Sequence, residues 1–181
     1  PVSPTHMTHE EFIEEATTIK NLQAGFIKNE DYKVIHENTI IVCHDVFIKC
    51  TYNGAQGILL VKRLNHPAKD IYWPIGGRIL RGVLVEDSLA QKVQDECSLT
   101  LTDITYLGVG RTLFKEDPFG HGKGTDTLNL VYLAEGSGEV VLNSLHADPL
   151  LVTRDSYPKI RATLVPYIQK YLDTIEEKNL W

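Results

Sequence analysis

The fold class is decided by residues 73–99, which read WPIGGRILRGVLVEDSLAQKVQDECSL. The paired glycines allow a ligand to approach the backbone closely. The arginine after them can bind phosphate oxygens through two parallel hydrogen bonds. Further on, Asp87 or Ser88 is suited to cap a helix that runs to about Cys97. The stretch therefore predicts a ligand-binding loop followed by a helix.

Two different faces are predicted for this helix. Small and apolar residues recur from Ala90 to Cys97 at i, i+3 and i+7, which is the spacing of a buried stripe. Lys92, Asp95 and Glu96 fall on a separate stripe, at i, i+3 and i+4. This second stripe carries the charged side chains that could act on a ligand.

The composition and net charge limit the classes of protein and of partner that are possible. The chain has 181 residues, 43% hydrophobic and 23% charged, which is typical of a folded domain. A net charge of −6 argues against a nucleic-acid partner, since such proteins are usually basic. Residues 62–81 nevertheless carry five basic residues against one acidic residue. This patch is compatible with a phosphorylated small molecule, although it could equally be a solvated face.

The cysteines and the apolar runs favour a soluble protein of a reducing compartment. Cys43, Cys50 and Cys97 lack the spacing of metal ligands and are predicted to be core thiols, which fits the cytoplasm. No apolar run approaches the roughly 18 residues of a membrane span, so no membrane partner is expected. Residues 1–7, PVSPTHM, resemble neither a signal peptide nor a helix. We interpret them as a vector-derived or disordered extension.

The flanking segments predict strands and two further helices. The glutamate-rich stretch 9–21 has helical spacing, and Asn53-Gly54 is a strong indicator of a hairpin turn. The predicted elements are a helix over 9–21, strands over 38–50, 58–63, 104–114 and 127–136, and an amphipathic helix over 157–178. This order describes one α+β or sandwich-like domain over residues 1–181.

The spacing that begins at Gly77 resembles the signature of the Nudix hydrolase family. That signature runs Gly, five residues, Glu, seven residues, Arg-Glu, apolar, any, Glu-Glu, any, Gly, apolar. The positions that match are Gly77, Val93, Glu96 and Leu99, with Asp95 as a conservative replacement. The positions that depart are Val83, Gln91, Lys92 and Ser98. The resemblance implies a Nudix-like α/β/α sandwich around a mixed β-sheet.

The departures affect the chemistry that the family usually performs. In ordinary members several glutamates of the helix bind two or three divalent cations, which neutralise a diphosphate and activate water. Here Lys92 places an ammonium group on that face, where it can pair with Glu96 or reach a phosphate but cannot ligate Mg²⁺. The Nudix box is thus degenerate.

Three further stretches are similar to the GDP-mannose mannosyl hydrolase branch of the family, which displaces at the anomeric carbon of a nucleotide sugar. They are residues 62–79, 119–133 and 144–153. The resemblance implies that the Gly76 carbonyl and Glu96, assisted by Asp95, bind one Mg²⁺ or Mn²⁺ ion. It also implies a homodimer.

The same resemblance implies roles for residues outside the helix. Arg63 and Arg78 would hold the diphosphate and assist its departure, Asp45 would lie near the sugar, and His146 would be the general base. Lys92 and His121 are further candidates for substrate contacts. Leu145 replaces a glutamine ligand of that branch, and the spacing from Asp45 to Arg63 is about three residues longer. A loop histidine such as His146 or His121 could also be inert.

Three functions remain open from the sequence. The leading hypothesis is a Mg²⁺-dependent hydrolase that releases a free sugar and a nucleoside diphosphate from a nucleotide sugar. Lys92 and Leu145 motivate a second hypothesis, a non-catalytic Nudix-fold module that binds nucleotide sugars. The third is an ordinary Nudix diphosphate hydrolase that uses ligands outside the helix.

Overall fold

The computed structural model describes residues 9–181, so the interpretation of residues 1–7 lies outside it. Hydrogen-bonded strands and short helices make up most of this part. The helices are α1 (Asn29–Asn38), α2 (Val85–Cys97), α3 (Tyr157–Ile160) and α4 (Pro166–Glu177), with 3₁₀ turns at Ile19–Leu22 and Arg161–Thr163. The strands are β1 (Ile41–Tyr52), β2 (Ala55–Arg63), β3 (Tyr72–Trp73), β4 (Ile75–Arg78), β5 (Thr100–Phe114), β6 (Thr125–Ser137) and β7 (His146–Val152).

All seven strands belong to one mixed sheet. Its main order is β3-β2-β1-β6-β5, with β4 paired to β1 and β7 paired to β2. Strands β1 and β6 are parallel, and the other pairs are antiparallel. The predicted hairpin turn is confirmed, because Asn53 and Gly54 both have positive φ and connect the paired residues Tyr52 and Ala55.

Strand β1 changes partner halfway along its length. Residues from Ile48 onward pair with β2, whereas Cys43–Val46 pair with β4. On its other edge, β2 pairs with β7 from Ile58 to Arg63, which brings Arg63 opposite His146. Beyond Leu59, β2 pairs with β3 and β1 pairs with β4, so residues 72–78 lie between the two strands beside the candidate site.

The sheet separates two apolar cores. Phe47, Leu60 and Leu133 belong to the core on the α4 side. Val46 and Ile48 alternate with Phe47 along β1 and belong to the core on the α2 side. A sheet covered by helices on both faces is the predicted α/β/α sandwich, so the fold class is confirmed.

The N-terminal prediction was wrong. Residues 9–28 form no α-helix, and their only helical turn is the 3₁₀ turn Ile19–Leu22. The helix begins later, at Asn29. Tertiary contacts determine this conformation, because the Glu11 carboxylate accepts hydrogen bonds from the backbone N–H of Val85 at 3.1 and 3.2 Å.

The C-terminal helix is shorter than predicted. Helix α3 and the following 3₁₀ turn end at Thr163, and α4 begins at Pro166. A proline has no N–H to donate and disfavours helical backbone in the residue before it, so the single helix over 157–178 is interrupted there. The break places Tyr167 in the first turn of α4, next to the sheet.

The expectation about the cysteine side chains holds. Cys43, Cys50 and Cys97 are buried free thiols, as predicted. Within residues 9–181, the helices are all too short or too polar to cross a bilayer.

Candidate active site

The site is a cavity of about 300 Å³ lined by residues of strands β1 to β6. Its lining combines charged, polar and aromatic side chains from the sheet, from α1 and from two loops. The lining residues include Tyr32, His36, Asp45, Arg63, Trp73, Gly77, Arg78, Thr112, Phe119, Thr125, Thr127 and Asn129. Charged groups that meet around an open cavity of this size can bind a polar small molecule.

Asp45 is a buried carboxylate held in place by α4. Its exposed fraction is 3%, and the Tyr167 hydroxyl donates a hydrogen bond of 2.6 Å to its Oδ2 atom. Burial raises the pKa of Asp45 to about 6, although the Tyr167 hydrogen bond and the Arg63 charge act in the opposite direction. A carboxyl group that titrates near neutral pH can accept or release a proton during a reaction.

Gly76 lies opposite Asp45 in the β1–β4 pair, and its lack of a side chain is required there. A Cβ atom at this position would collide with the Asp45 carboxylate and the His44 carbonyl oxygen. The first glycine of the pair therefore makes room for Asp45 within the sheet.

Arg63 and Arg78 bring two positive charges to the cavity wall. The Arg63 Nε atom is buried and has no hydrogen-bond partner among residues 9–181, which suits a donor whose acceptor comes from a ligand. Its Nη2 atom lies 3.4 Å from the Asn65 side-chain oxygen. Arg78 is exposed and stacks its guanidinium on the Tyr32 ring, 4.5 Å from the centroid. This stacking holds Arg78 at the cavity rim.

A second group of charged side chains lies beside the cavity and does not line it. The Lys92 ammonium is 3.5 Å from Glu96 Oε1, and His146 Nε2 is 3.7 Å from Glu96 Oε2. Burial raises the pKa of Glu96, and the Lys92 charge opposes that effect. Burial lowers the pKa of His146 to about 4, with the Arg63 and Lys92 charges adding to the shift. His146 is therefore neutral at neutral pH.

Lys92 is connected to the cavity through Gly77. A Cβ atom at Gly77 would lie 3.3 Å from Lys92 Cε and 3.5 Å from its Nζ atom. Gly77 is itself a lining residue of the cavity. Because Gly77 has no side chain, the Lys92 ammonium group has space beside it, next to the cavity.

His146 does not lie in a loop, as the sequence suggested, but is the first residue of β7. Its side chain is 4% exposed, and its Nδ1 atom is 3.1 Å from the Asn143 side-chain oxygen. The structure brings His146 close to Glu96 and opposite Arg63, but not to the cavity surface.

His121, a candidate for substrate contact, lies beside the cavity in the 115–124 loop. Its Nε2 atom lies 2.7 Å from Nδ1 of His36, and His36, but not His121, lines the cavity. Asp117 accepts backbone hydrogen bonds from the same loop, and the Lys123 ammonium pairs with Glu37 of α1 at 2.9 Å. His121 therefore helps to fix the 115–124 loop against α1.

Several solved structures share the fold of this chain at low sequence identity. The NUDIX domain of Shewanella oneidensis NrtR, solved with ADP-ribose, superimposes with a TM-score of 0.59 at 14% identity, over 84% of this chain and 99% of that chain. A MutT protein from Methanosarcina mazei gives a TM-score of 0.59 at 17% identity, over 78% and 96%. This chain has the Nudix fold. A C. elegans Ap4A hydrolase complex also matches, with a TM-score of 0.53 at 14% identity, over 76% and 96%.

No protein family model matches the chain. At identities of this level the structural likeness concerns the Nudix fold and not the reaction. The reaction must therefore be argued from the side chains in the cavity.

The residues predicted to bind a metal do not fit a divalent cation. Glu96 is buried and already paired with Lys92, whereas Asp95 beside it is exposed, so the two carboxylates do not share one site. The side chain of Leu145, at the position where the mannosyl hydrolase resemblance implies a glutamine ligand, is 42% exposed and contains no oxygen. Within the described chain, no three His, Cys, Asp or Glu side chains form a cluster suited to a metal. A hard cation prefers several oxygen ligands.

Several residues of the site were not found from the sequence. Tyr167 carries no pattern that would indicate a bond to Asp45, 122 positions away in sequence. The polar wall formed by β6 does have a pattern, because Thr125, Thr127 and Asn129 alternate along a strand and share one face. All three are buried, and the Asn129 side-chain amide donates to Thr127 Oγ1 at 3.2 Å.

Proposed function

We propose that the chain hydrolyses a nucleoside-diphosphate sugar by attack of water on the anomeric carbon. The observation that carries this proposal is the presence of Asp45, with its raised pKa of about 6, in the same cavity as Arg63 and Arg78. Two cationic side chains suit a diphosphate leaving group. A buried carboxylate near neutral pKa suits a general base.

The mechanism uses these three side chains. Arg63 and Arg78 bind the diphosphate, and the ionised Asp45 accepts a proton from the attacking water. The water oxygen forms a bond to the anomeric carbon while the bond from that carbon to the diphosphate oxygen breaks. The electron pair leaves with the nucleoside diphosphate, whose negative charge the two guanidinium groups stabilise. Tyr167 is a positioning residue, because it fixes the Asp45 carboxylate by its 2.6 Å hydrogen bond.

Asp45 is a better candidate than His146 for the general base. Both side chains are buried, but only Asp45 lines the cavity. In addition, Glu96 lies 3.7 Å from His146 Nε2, which directs that nitrogen toward the helix. Attack at carbon is preferred over attack at phosphorus because the helix lacks the set of glutamates that would hold several cations there.

The test is incubation with a panel of nucleoside-diphosphate sugars in heavy-oxygen water, with GDP-mannose as the first probe. We expect GDP and free mannose, with the heavy oxygen on the sugar. Formation of GMP and mannose-1-phosphate, with the label on phosphate, would contradict attack at carbon. Phosphorus NMR and mass spectrometry distinguish the two outcomes.

Substitutions test the proposed roles of Asp45, Arg63 and Arg78. Asp45→Asn should lower kcat by about 10²- to 10⁴-fold, the usual contribution of a general base. Arg63→Met and Arg78→Met should weaken binding and slow departure of the diphosphate. Arg154→Met is the matched control, because Arg154 pairs with Glu176 at 3.1 Å and does not line the cavity.

A second candidate function is a binding module without turnover. The ion pair of Lys92 with Glu96 favours it, because that pair occupies the carboxylate most characteristic of catalysis in the family. Calorimetry that detects binding of a nucleotide sugar, together with no product from any member of the panel, would select this candidate.

A further inference from the structure

We propose that the Lys92 ammonium takes the place of the divalent cation of ordinary Nudix hydrolases, so that the site binds its diphosphate without added metal. This inference rests on the proposed function, since it concerns the same ligand and the same cavity. It assigns a role to the residue that departs most strongly from the Nudix signature.

The position of Lys92 is the first argument. Its ammonium group lies 3.5 Å from Glu96, the carboxylate that the family resemblance links to a metal ion. It also lies beside Gly77, where a Cβ atom would contact Lys92 Cε at 3.3 Å. The ammonium group therefore lies between Glu96, the buried carboxylate of α2, and the backbone of Gly77, which lines the cavity although Lys92 itself does not.

The surrounding charges are the second argument. Glu96 Oε2 is buried and has no hydrogen-bond partner within residues 9–181, so the carboxylate needs a nearby positive charge. Lys92 supplies this charge from its own helix, at i and i+4, while Arg63 adds to the positive potential. A divalent cation at Glu96 would have to approach the ammonium within a few ångströms, where like charges repel strongly.

The chemistry of lysine is the third argument. An ammonium group has three donors and is a common phosphate ligand that acts as a point charge. Its side chain is 31% exposed, so the group is partly accessible to a ligand. Unlike a bound ion, it is fixed to the chain and cannot be removed by a chelator. With Arg63 and Arg78 in the cavity lining and Lys92 beside it, three permanent positive charges lie in and next to the site.

The first experiment measures binding of GDP-mannose and of inorganic pyrophosphate by calorimetry, with excess EDTA and with excess MgCl₂. We expect the same affinity in both buffers. Lys92→Met should weaken binding by about ten- to hundredfold, as for loss of a hydrogen bond to a charged group, and Lys92→Arg should restore much of it. Lys159→Met is the matched control, because Lys159 is exposed on α3.

The second experiment measures Mn²⁺ binding directly, without a nucleotide, by electron paramagnetic resonance of the free ion. The wild-type chain should show no binding that depends on Glu96. Lys92→Met should gain a Mn²⁺ site, and the added change Glu96→Gln should remove it. Failure of Lys92→Met to gain this site would show that Lys92 is not what excludes the metal.

The outcomes separate this inference from the proposed function. Binding or turnover that EDTA abolishes, with Mn²⁺ bound at Glu96 in the wild type, would overturn the role of Lys92 and leave the nucleotide-sugar hydrolase standing. Metal-independent binding of pyrophosphate that weakens in Lys92→Met, with no turnover of any nucleotide sugar, would support the role of Lys92 and remove the hydrolase.

Discussion

Ser88 shows how one hydroxyl group joins helix α2 to the sheet. The sequence suggested it as a helix cap, but α2 begins at Val85 and Ser88 lies inside its first turn, buried to 1% exposure. Its Oγ accepts a hydrogen bond from the backbone N–H of Leu80 at 3.0 Å and lies 2.9 Å from Nε2 of His44. Burial lowers the pKa of His44 to about 4, so its ring is neutral at neutral pH.

Replacement of Ser88 by alanine should destabilise the protein. The backbone N–H of Leu80 and the buried His44 ring would both lose their shared partner, and a buried polar group left unpaired costs about 1–3 kcal/mol. Urea denaturation measures the difference. Ser144→Ala is the matched control, since Ser144 is exposed, and its stability should change little. Equal stability of the two variants would contradict the structural role of Ser88.

At the scale of elements, contacts with other parts of the chain determine the conformation of the N-terminal segment more than its own helix propensity does. His9 bonds to the Tyr132 hydroxyl at 2.9 Å, and Leu22 accepts a hydrogen bond from Arg81 at 2.9 Å. Gly82 lies so close to the Leu22 backbone that a Cβ atom would overlap it. These contacts hold residues 9–23 across the start of α2 and explain why the glutamate-rich stretch is not helical.

The contact of Glu11 with α2 can be tested by mutation. Glu11 accepts the N–H of Val85, whose own helix has no side-chain cap, and its negative charge faces the positive end of the helix dipole. Glu11→Ala should lower the free energy of unfolding by about 1 kcal/mol and speed hydrogen exchange at Val85. Glu15→Ala, at an exposed position, is the control. If residues 9–21 were instead a free helix, alanine would be neutral or slightly stabilising at both positions.

For the molecule as a whole, patterns within a strand or a helix were predictable from the sequence. His44 and Asp45 are adjacent in β1 and lie on opposite faces of the sheet, as alternation along a strand requires, so they contact α2 and α4 respectively. Long-range partners were not predictable, because no local pattern encodes the bond from Tyr167 to Asp45. The same applies to Glu11, whose partner is 74 positions away.

The pH dependence of global stability provides a test of the site itself. The folded-state pKa of Asp45, about 6, exceeds its ordinary value of 3.8, so stability is lost as the pH rises from about 4 to about 6, where the unfolded chain is ionised at Asp45 and the folded chain is not. Asp45→Asn should therefore gain stability relative to the wild type between about pH 4 and 7, by on the order of 3 kcal/mol, while losing activity. Asp173→Asn should show the opposite sign, because the Arg161 hydrogen bonds lower the pKa of Asp173 to about 2 and favour its ionised form. Denaturation curves at several pH values measure both trends, and parallel behaviour of the two variants would contradict a buried, proton-accepting Asp45.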